Sequence, residues 1–332
     1  RKENLSTIAA MFTSVFSAIL LFVFAFVILK ERAKRNGVIR ELSGQDIVPE
    51  EIMSLPATIL FVNGYTPPSS LMPAAFLDFI RKGYIKKADK THFSRNHEAK
   101  PFHDHEKKLL QFLFEIVGSK ETFSFNHLSS FTKKKRNHEK YHSNVQEWME
   151  LVRKEIKDSN LYENTGKLRL LIGLSSILLL PFLVALPIYG VFHWFAAILV
   201  LFITVLLFAI LYKPKNWNGL KLTYSWKKWN DYLNELDESH LKKLKEDHLV
   251  RLYIYGLGTN NKNVIKKNEK LMESFQLSSS SVSSDLIFMN GVLAATTFNS
   301  ADKTAQSSIS SSSPASFSGG GTGGGGGGSG AF

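Results

Sequence analysis

The longest uncharged run of the chain, residues 170–212, constrains the fold more than any other feature of the sequence. These 43 residues include no Asp, Glu, Lys or Arg. As one helix they would extend about 65 Å, roughly twice the hydrocarbon thickness of a membrane. The run must therefore fold back, and Pro187 and Gly190 mark the turn because both residues disfavour a continuous helix. We predict a hairpin of two transmembrane helices, residues 170–186 and 191–212.

Another transmembrane helix is predicted near the N-terminus. Residues 8–29 lack charged side chains and are followed by a basic stretch that begins at Lys30. About 20 apolar residues suffice to cross the hydrocarbon core. The alternative, a secretory signal peptide, has a shorter apolar core of roughly 7–15 residues and a cleavage site of small residues after it. We therefore predict a membrane span, preceded by residues 1–7 on its outer side.

Basic residues next to the three spans predict their orientation. Lysine and arginine follow the first span and flank both ends of the hairpin, whereas the hairpin turn carries none. These residues are Lys30, Arg32, Lys34, Arg35, Arg40, Lys167, Arg169, Lys213 and Lys215. The positive-inside rule then predicts a multi-pass cell-membrane protein with its N-terminus outside and its C-terminus in the cytoplasm. Arg1 and Lys2, on the predicted outer side, are the exceptions.

The first cytoplasmic segment, residues 30–169, contains enough apolar residues for a folded core. A helix is predicted from Leu71 to Lys82, between an N-cap at Ser70 and a terminating Gly83. An earlier helix is predicted to start near Val48–Ile52, and two short strands to follow near Tyr84–Lys87 and Thr91–Ser94. Helix, helix, strand, strand is the order of a winged helix-turn-helix unit.

More helices are predicted over residues 106–117, 126–132 and 138–160, with an extended piece at 122–125. They suggest a second, degenerate winged-helix-like unit. Residues 213–277 are predicted to form a cytoplasmic amphipathic helical segment. Its tryptophans Trp226 and Trp229 lie on one helical stripe, which indicates an apolar surface facing the membrane.

The C-terminal residues 278–332 are predicted to be a disordered Ser/Gly-rich tail. They contain three charged residues, and ten of the twelve residues 319–330 are glycine. Polyglycine loses much chain entropy on folding and has nothing to bury. Residues 286–298 form an apolar island that is too short to span a membrane, so it lies on the membrane or packs on the domain.

Few residues point to chemistry. The chain has no cysteine, which excludes disulfides, thiol nucleophiles and Cys-containing zinc sites. The spans contain no charged residue, which argues against an ion channel or coupled transporter. Nothing in the sequence places a nucleophile beside a base, so we predict no catalytic residue, no cofactor and no enzymatic activity.

The densest group of potential metal ligands comprises His92, His97, His103, Asp104, His105 and Glu106. Two of its histidines, His103 and His105, are two positions apart, and on a helix they would point to different faces, although a strand or loop could align them. We predict a surface loop without a metal ion.

A basic patch is formed by Lys133, Lys134, Lys135 and Arg136. Phosphate contacts from such a patch would give nucleic-acid binding that weakens steeply with salt. The alternatives are a solvated charge run or contact with anionic lipid headgroups. We favour these alternatives because no helix for reading base edges is evident in the sequence.

Several stretches, in their order along the chain, resemble the C-terminal half of the YciQ-like predicted membrane proteins, the family of domain of unknown function 2207. They are Leu71–Ile85, Glu106–Leu113, the hairpin, Trp226–Leu233, Tyr253–Gly258 and the Ser/Gly run that ends at Ala331-Phe332. The resemblance implies a bacterial or archaeal membrane, and an outer β-rich domain before Arg1. It supplies no established activity and no catalytic residues.

Together these features predict an integral membrane protein, mainly α-helical, with three transmembrane helices, α/β winged-helix-like cytoplasmic modules and a disordered tail. We expect a membrane-anchored scaffold or interaction protein of the cell envelope. Its predicted partners are the lipid membrane and other membrane or cytoplasmic proteins. The alternative is a membrane-tethered regulator that binds nucleic acid through its winged-helix-like region.

Overall fold

The computed structural model describes residues 2–43, 49–64, 69–88, 92–235, 245–266 and 282–309. Helices dominate this part of the chain, and a small antiparallel sheet accompanies them. The helices are α1 (Lys2–Leu42), α2 (Leu55–Val62), α3 (Leu71–Arg81), α4 (Asp104–Leu110), α5 (Phe125–Thr132), α6 (His138–Asp158), α7 (Gly166–Ser175), α8 (Leu180–Ile188), α9 (Phe192–Leu211), α10 (Trp217–Glu235), α11 (Glu246–Gly258), α12 (Lys262–Lys266) and α13 (Val282–Ile309). The strands are β1 (Ile85–Lys87), β2 (Phe93–Arg95) and β3 (Thr122–Phe123).

Three helical segments of the described chain are long and apolar enough to cross a membrane. They are Ser6–Leu42, Gly166–Ile188 and Phe192–Leu211. Many of their large apolar side chains are exposed, including Phe22 and Phe192. Such exposure suits a lipid-facing surface, because lipid tails are as apolar as these side chains. The prediction of three membrane-spanning helices is confirmed.

The hairpin turns at Tyr189 and Gly190, within the predicted turn, although Pro187, which was predicted to mark the turn, lies inside α8. Gly190 follows α8 with a φ of 65°, a left-handed conformation that glycine adopts without steric cost. A 3-10 turn over Ser176–Leu179 joins α7 to α8, just before Pro181. At the other end of the hairpin, the Arg169 guanidinium donates to the carbonyl oxygens of Ala209 and Ile210 at 2.6 and 2.9 Å. It thereby satisfies carbonyls at the C-terminus of α9 that lack helical partners.

Helix α1 extends well past residue 29, where the sequence analysis ends the first span. Residues 30–42 add about 20 Å of continuous helix. Val38 and Leu42 pack against Leu220 of α10, and Gly37 lies so close to the Trp217 ring that a Cβ would collide with it. The helix continues past the membrane because lysine, arginine and glutamate are good helix formers and because the apolar face of the extension packs against α10.

Lys34 joins α1 to the two segments that connect the hairpin with the rest of the chain. Its ammonium lies 2.7 Å from Glu163 Oε1 and donates to the carbonyl oxygen of Lys215 at 3.0 Å. Around it, Tyr162 pairs with Lys215 in an isolated antiparallel bridge, and Glu163 N donates to the Pro214 carbonyl oxygen at 2.9 Å. The residues around this bridge are called the junction below.

Outside the spans, the helices share one hydrophobic core, and we call this part the body. Helix α3 lies at its centre, with every residue from Leu71 to Ile80 buried. Helix α2 starts at Leu55, where Ser54 Oγ accepts a hydrogen bond from Ala57 N. The predicted helix start near Val48–Ile52 is wrong for the described residues 49–52, because Ser54 supplies the N-cap and Pro56 suits the first turn.

The sheet has the order β1-β2-β3, with both pairs antiparallel. Phe93 and Phe123 lie opposite each other in it, and both contact Phe76 of α3. The predicted succession of two helices and two strands is present as α2, α3, β1 and β2. The third strand comes from after α4 and was predicted only as an extended piece.

Trp226 and Trp229 do not form a membrane-facing surface as predicted. Both rings are buried in the core of the body, at 2% and 3% exposure. Trp226 stacks on Tyr255 of α11 with ring centroids 4.3 Å apart. The two tryptophans do share one face of α10, as predicted, but that face packs against α11. Residues Leu249 to Gly258 of α11 are themselves buried.

The prediction of a disordered tail from residue 278 is wrong for residues 282–309, which form α13. This helix packs on α3, α5, α6 and α11. A buried stripe recurs three or four positions apart and comprises Ile287, Gly291, Ala294, Phe298, Ala301 and Ala305, and Ala295 beside it is buried as well. Burial of this stripe compensates the ordering entropy that a Ser-rich segment must lose. The glycine run at 319–330 lies outside the described residues.

Replacing Phe298 tests whether α13 contributes to the hydrophobic core of the body. Its ring contacts Phe76, Phe123 and Phe125, so Phe298→Ala should lower the free energy of unfolding by about 3–5 kcal/mol. Leu293 on the same helix is 50% exposed, and Leu293→Ala serves as the control with an expected change within about 0.5 kcal/mol. Thermal or denaturant unfolding in detergent measures both. Equal, small effects would contradict the packing of α13.

Lys215 of the junction makes the free energy of unfolding depend on pH. Its half-buried ammonium donates to Phe61 O and Thr223 Oγ at 2.8 and 2.9 Å. Burial, followed by repulsion from Lys227 and Arg35, lowers the pKa of Lys215 from 10.5 to about 8. Between these values the unfolded chain binds more protons than the folded one, so the free energy of unfolding rises with pH, by at most about 3 kcal/mol.

Replacing the titrating group should remove this rise. We expect Lys215→Met to flatten the dependence of unfolding free energy on pH between about 8 and 10.5. Lys213→Met, at an exposed position two residues away, should keep the wild-type slope. Unfolding is followed in detergent across this pH range. The same slope in wild type and Lys215→Met would show that Lys215 does not titrate in this window.

Candidate functional site

A pocket of about 340 Å³ opens on the body where the N-terminus of α4 faces the last turns of α6. Its polar lining residues are His103, Asp104, His105, Lys154, Glu155, Asp158 and Ser159. Among the described residues, one group of histidine and carboxylate side chains lies close enough to share a metal ion. It comprises His103, His105 and Glu155, whose ligand atoms all lie within 4.8 Å of one another.

The two histidines face the same way because they straddle the start of α4. His103 is the N-cap residue, and its extended backbone (φ −90°, ψ 149°) places its side chain off the helical wheel. His105 is the second residue of the helix. The two rings stack nearly parallel, with centroids 5.4 Å apart and an interplanar angle of 15°. The expected divergence of these side chains holds only when both residues are helical.

Glu155 of α6 completes the group. Its Oε1 lies 3.5 Å from His103 Nδ1, and its Oε2 lies 2.9 Å from His105 Nε2. Glu155 is not among the potential metal ligands predicted from the sequence. The signal for it is that the glutamate falls on the apolar side of α6, seven residues after Trp148 and three after Val152, both of which are buried. An acidic residue at such a position needs a partner.

Hydrogen bonds hold both sides of the group. The Glu155 carboxylate accepts from Ser54 N and from Ser54 Oγ, each at 2.7 Å. On the other side, Glu106 Oε2 accepts from the backbone N–H groups of Phe102 and His103, each at 3.0 Å. The start of α2 thus orients the carboxylate, while Glu106 fixes the backbone that carries the first histidine.

A buried ion-pair network anchors Glu106. The Lys82 ammonium lies 2.8 Å from Glu106 Oε1 and 3.2 Å from Asp78 Oδ2, and Asp78 also accepts from Arg81 Nε at 2.7 Å. Asp78 and Glu106 are each 1% exposed. Burial alone would lower the pKa of Lys82, but the two carboxylates raise it above its ordinary value. Lys82 therefore stays charged and holds α3 to α4.

The electrostatics of the site favour an ionised carboxylate. Burial would raise the pKa of Glu155, but His105 and Ser54 together lower it to about 2. The His105 ring is 2% exposed; its Nε2 lies 2.9 Å from Glu155 Oε2 without hydrogen-bond alignment, and its Nδ1 has no hydrogen-bond partner among the described residues. Leaving a buried polar group unsatisfied costs about 1–3 kcal/mol. A ligand that takes a nitrogen lone pair would remove part of this cost.

The prediction of a surface loop over this stretch is wrong for His105 and Glu106, because both are helical and buried. The remaining candidate ligands lie elsewhere. The His92 ring packs beside that of His127, with centroids 5.7 Å apart. His97 pairs at the surface with Glu121, at 2.8 Å.

The predicted basic patch lies between α5 and α6, at the end of α6 opposite to Glu155. Lys133, Lys134, Lys135 and Arg136 are all exposed, and a 3-10 turn over Lys135–Asn137 places them just before α6. Their exposure fits an anionic partner and a solvated charge run equally. The favoured interpretation as a solvated charge run or a contact with lipid headgroups stays a prediction, with nucleic-acid binding as its alternative.

Comparison with known proteins gives one match. The profile of the C-terminal domain of the predicted membrane proteins of domain of unknown function 2207 matches residues 39–252. No curated protein and no solved structure gives a significant match. The matched region covers more than half of the chain and includes the hairpin, the Tyr162–Lys215 bridge and the His103–His105–Glu155 group, whereas Lys34 and α13 lie outside it. The chain therefore belongs to the family of predicted membrane proteins defined by domain of unknown function 2207.

Proposed function

We propose that the chain is a membrane-anchored scaffold that holds interaction partners at the cytoplasmic face of the membrane and has no catalytic activity of its own. The observation that carries this proposal is the continuity between membrane and body. Helix α1 passes from the apolar run into the body without a break. A body attached in this way has a defined face towards the membrane and another towards the cytoplasm.

Polar contacts around the junction support a fixed orientation. Lys34 binds Glu163 and the Lys215 backbone. Further along α1, Glu41 accepts from Trp217 Nε1 at 3.0 Å and from Lys221 Nζ at 2.8 Å. Single exposed ion pairs contribute little, but several pairs combined with the packing of Trp217 on Gly37 restrict rotation of α1 against α10.

The orientation in the membrane follows from charge. The basic residues of the junction, including Lys34 and Lys215, lie on the side of the spans where the body is attached. By the positive-inside rule this side is the cytoplasm. The topology has the N-terminus of the chain outside and the C-terminus inside.

The body itself also suits binding rather than chemistry. Its first four elements, α2, α3, β1 and β2, have a winged-helix-like order, and such modules act by contact with partners. The exposed cations of the basic patch suit an anionic lipid surface beside the anchored body.

Crosslinking mass spectrometry on intact membranes tests the scaffold. The full-length wild type should yield reproducible crosslinks from lysines of the body to other proteins. Gly37→Ala pushes a methyl group into the Trp217 ring and should reduce these crosslinks by disturbing the junction. Gly173→Ala is the matched control, because a Cβ there meets Ala209 at an ordinary 3.6 Å.

Two results would oppose the proposal. If the wild type crosslinks only to itself and to lipids, the scaffold function is abandoned. If Gly37→Ala and Gly173→Ala keep the same partners at wild-type levels, partner binding does not depend on the junction, and the observation that carries the proposal loses its role.

A further inference from the structure

We propose that His103, His105 and Glu155 form a binding site for a divalent transition-metal ion of the Zn²⁺ class. The inference is independent of the scaffold function. It concerns two imidazoles and one carboxylate, a set of ligands that zinc uses in proteins. Imidazole selects zinc and its neighbours in the periodic table over magnesium and calcium, which prefer oxygen ligands.

The distances between the ligand atoms suit such an ion. With metal–ligand bonds of about 2.0–2.1 Å, two ligands in a tetrahedral site are about 3.4 Å apart. His103 Nδ1 and Glu155 Oε1 are separated by 3.5 Å. His105 Nε2 and the other carboxylate oxygen, Glu155 Oε2, are separated by 2.9 Å. One oxygen of Glu155 therefore faces each imidazole, and ligand atoms of all three residues lie within 4.8 Å of one another. A fourth position remains for water from the pocket.

His105 supplies the independent observation. A histidine buried to this extent normally donates or accepts a hydrogen bond through at least one ring nitrogen. Among the described residues, neither nitrogen of His105 has a partner with that geometry, although a carboxylate oxygen lies 2.9 Å away. Close approach without hydrogen-bond alignment is what two ligands of one metal ion show, because both direct their lone pairs at the ion.

The surroundings supply the support that metal ligands require. Metal-binding carboxylates are oriented by hydrogen bonds from outside the coordination sphere. Ser54 provides two such bonds to Glu155, and a carboxylate has about four lone-pair sites, so each oxygen keeps one for the ion. The pocket has three carboxylates, those of Asp104, Glu155 and Asp158. They outnumber the ammonium groups of Lys154 in the lining and of Lys107, which pairs with Asp104 at 3.0 Å. The remaining negative charge attracts a cation.

Metal binding would connect parts of the body that are distant in sequence. His103 and His105 belong to the start of α4, Glu155 belongs to α6, and Ser54 caps α2. The ion would therefore link α4 to α6 directly, and α2 would be connected to it through the hydrogen bonds of Ser54 to Glu155. A bound ion stabilises the folded state by mass action, so zinc should raise the melting temperature.

Equilibrium dialysis tests the site directly. The full-length chain, purified in detergent without a histidine tag and stripped with a chelator, is titrated with Zn²⁺. We expect about one equivalent to bind. His103→Ala and Glu155→Gln should bind at least about tenfold more weakly. His97→Ala is the matched control, since it removes a histidine that also pairs with a glutamate but lies outside the group, and it should bind as wild type does.

A second measurement needs no variant, so a misfolded mutant cannot leave the site untested. X-ray absorption at the zinc edge of the wild type should show two imidazoles together with oxygen ligands. The proposal is overturned if the wild type takes up no saturable equivalent, if His103→Ala and Glu155→Gln bind zinc as tightly as wild type, or if the zinc edge shows oxygen ligands alone.

Discussion

The contact between the extension of α1 and the junction is the constraint on which the rest of the structure depends. Lys34 brings α1 to Glu163 and to the backbone of Lys215, which flank the hairpin on its two sides. Because the side chain of Lys34 is only 12% exposed, water screens these attractions less than it screens surface pairs. The three spans and the body therefore meet at Lys34. The direction of α1 then fixes the orientation of the body relative to the spans.

A second set of polar contacts organises the body around α3. Asp78 and Glu106 are buried carboxylates that share Lys82, so each charge has a partner and the desolvation cost is offset. Through Glu106 this network determines where α4 starts, and through α4 it determines where His103 and His105 point. The candidate metal site is in this sense a consequence of core electrostatics, with Ser54 providing the matching support for Glu155.

Much of the membrane part could be predicted from the sequence, because span length and the absence of charge are local properties. The helix α3 and the strands after it were also predicted, since caps and periodicity are local. Helix α13 was missed because Ser-rich composition suggests disorder, while its stripe of small residues around Phe298 gains stability only by tertiary packing on α3, α5, α6 and α11. Glu155 was missed because a site formed by two distant helices requires tertiary structure.

The most direct test of the account measures whether the body is held rigidly to the spans. The chain has no cysteine, so pairs of introduced cysteines carry spin labels at defined positions. Labels at exposed Phe22 and Ile39 calibrate a continuous α1, which places their backbones about 26 Å apart. Labels at Phe22 and Leu293 then measure the distance between the first span and the body in lipid nanodiscs, by pulsed electron–electron double resonance. We predict one narrow distance distribution, and a broad or multimodal distribution would contradict the central claim.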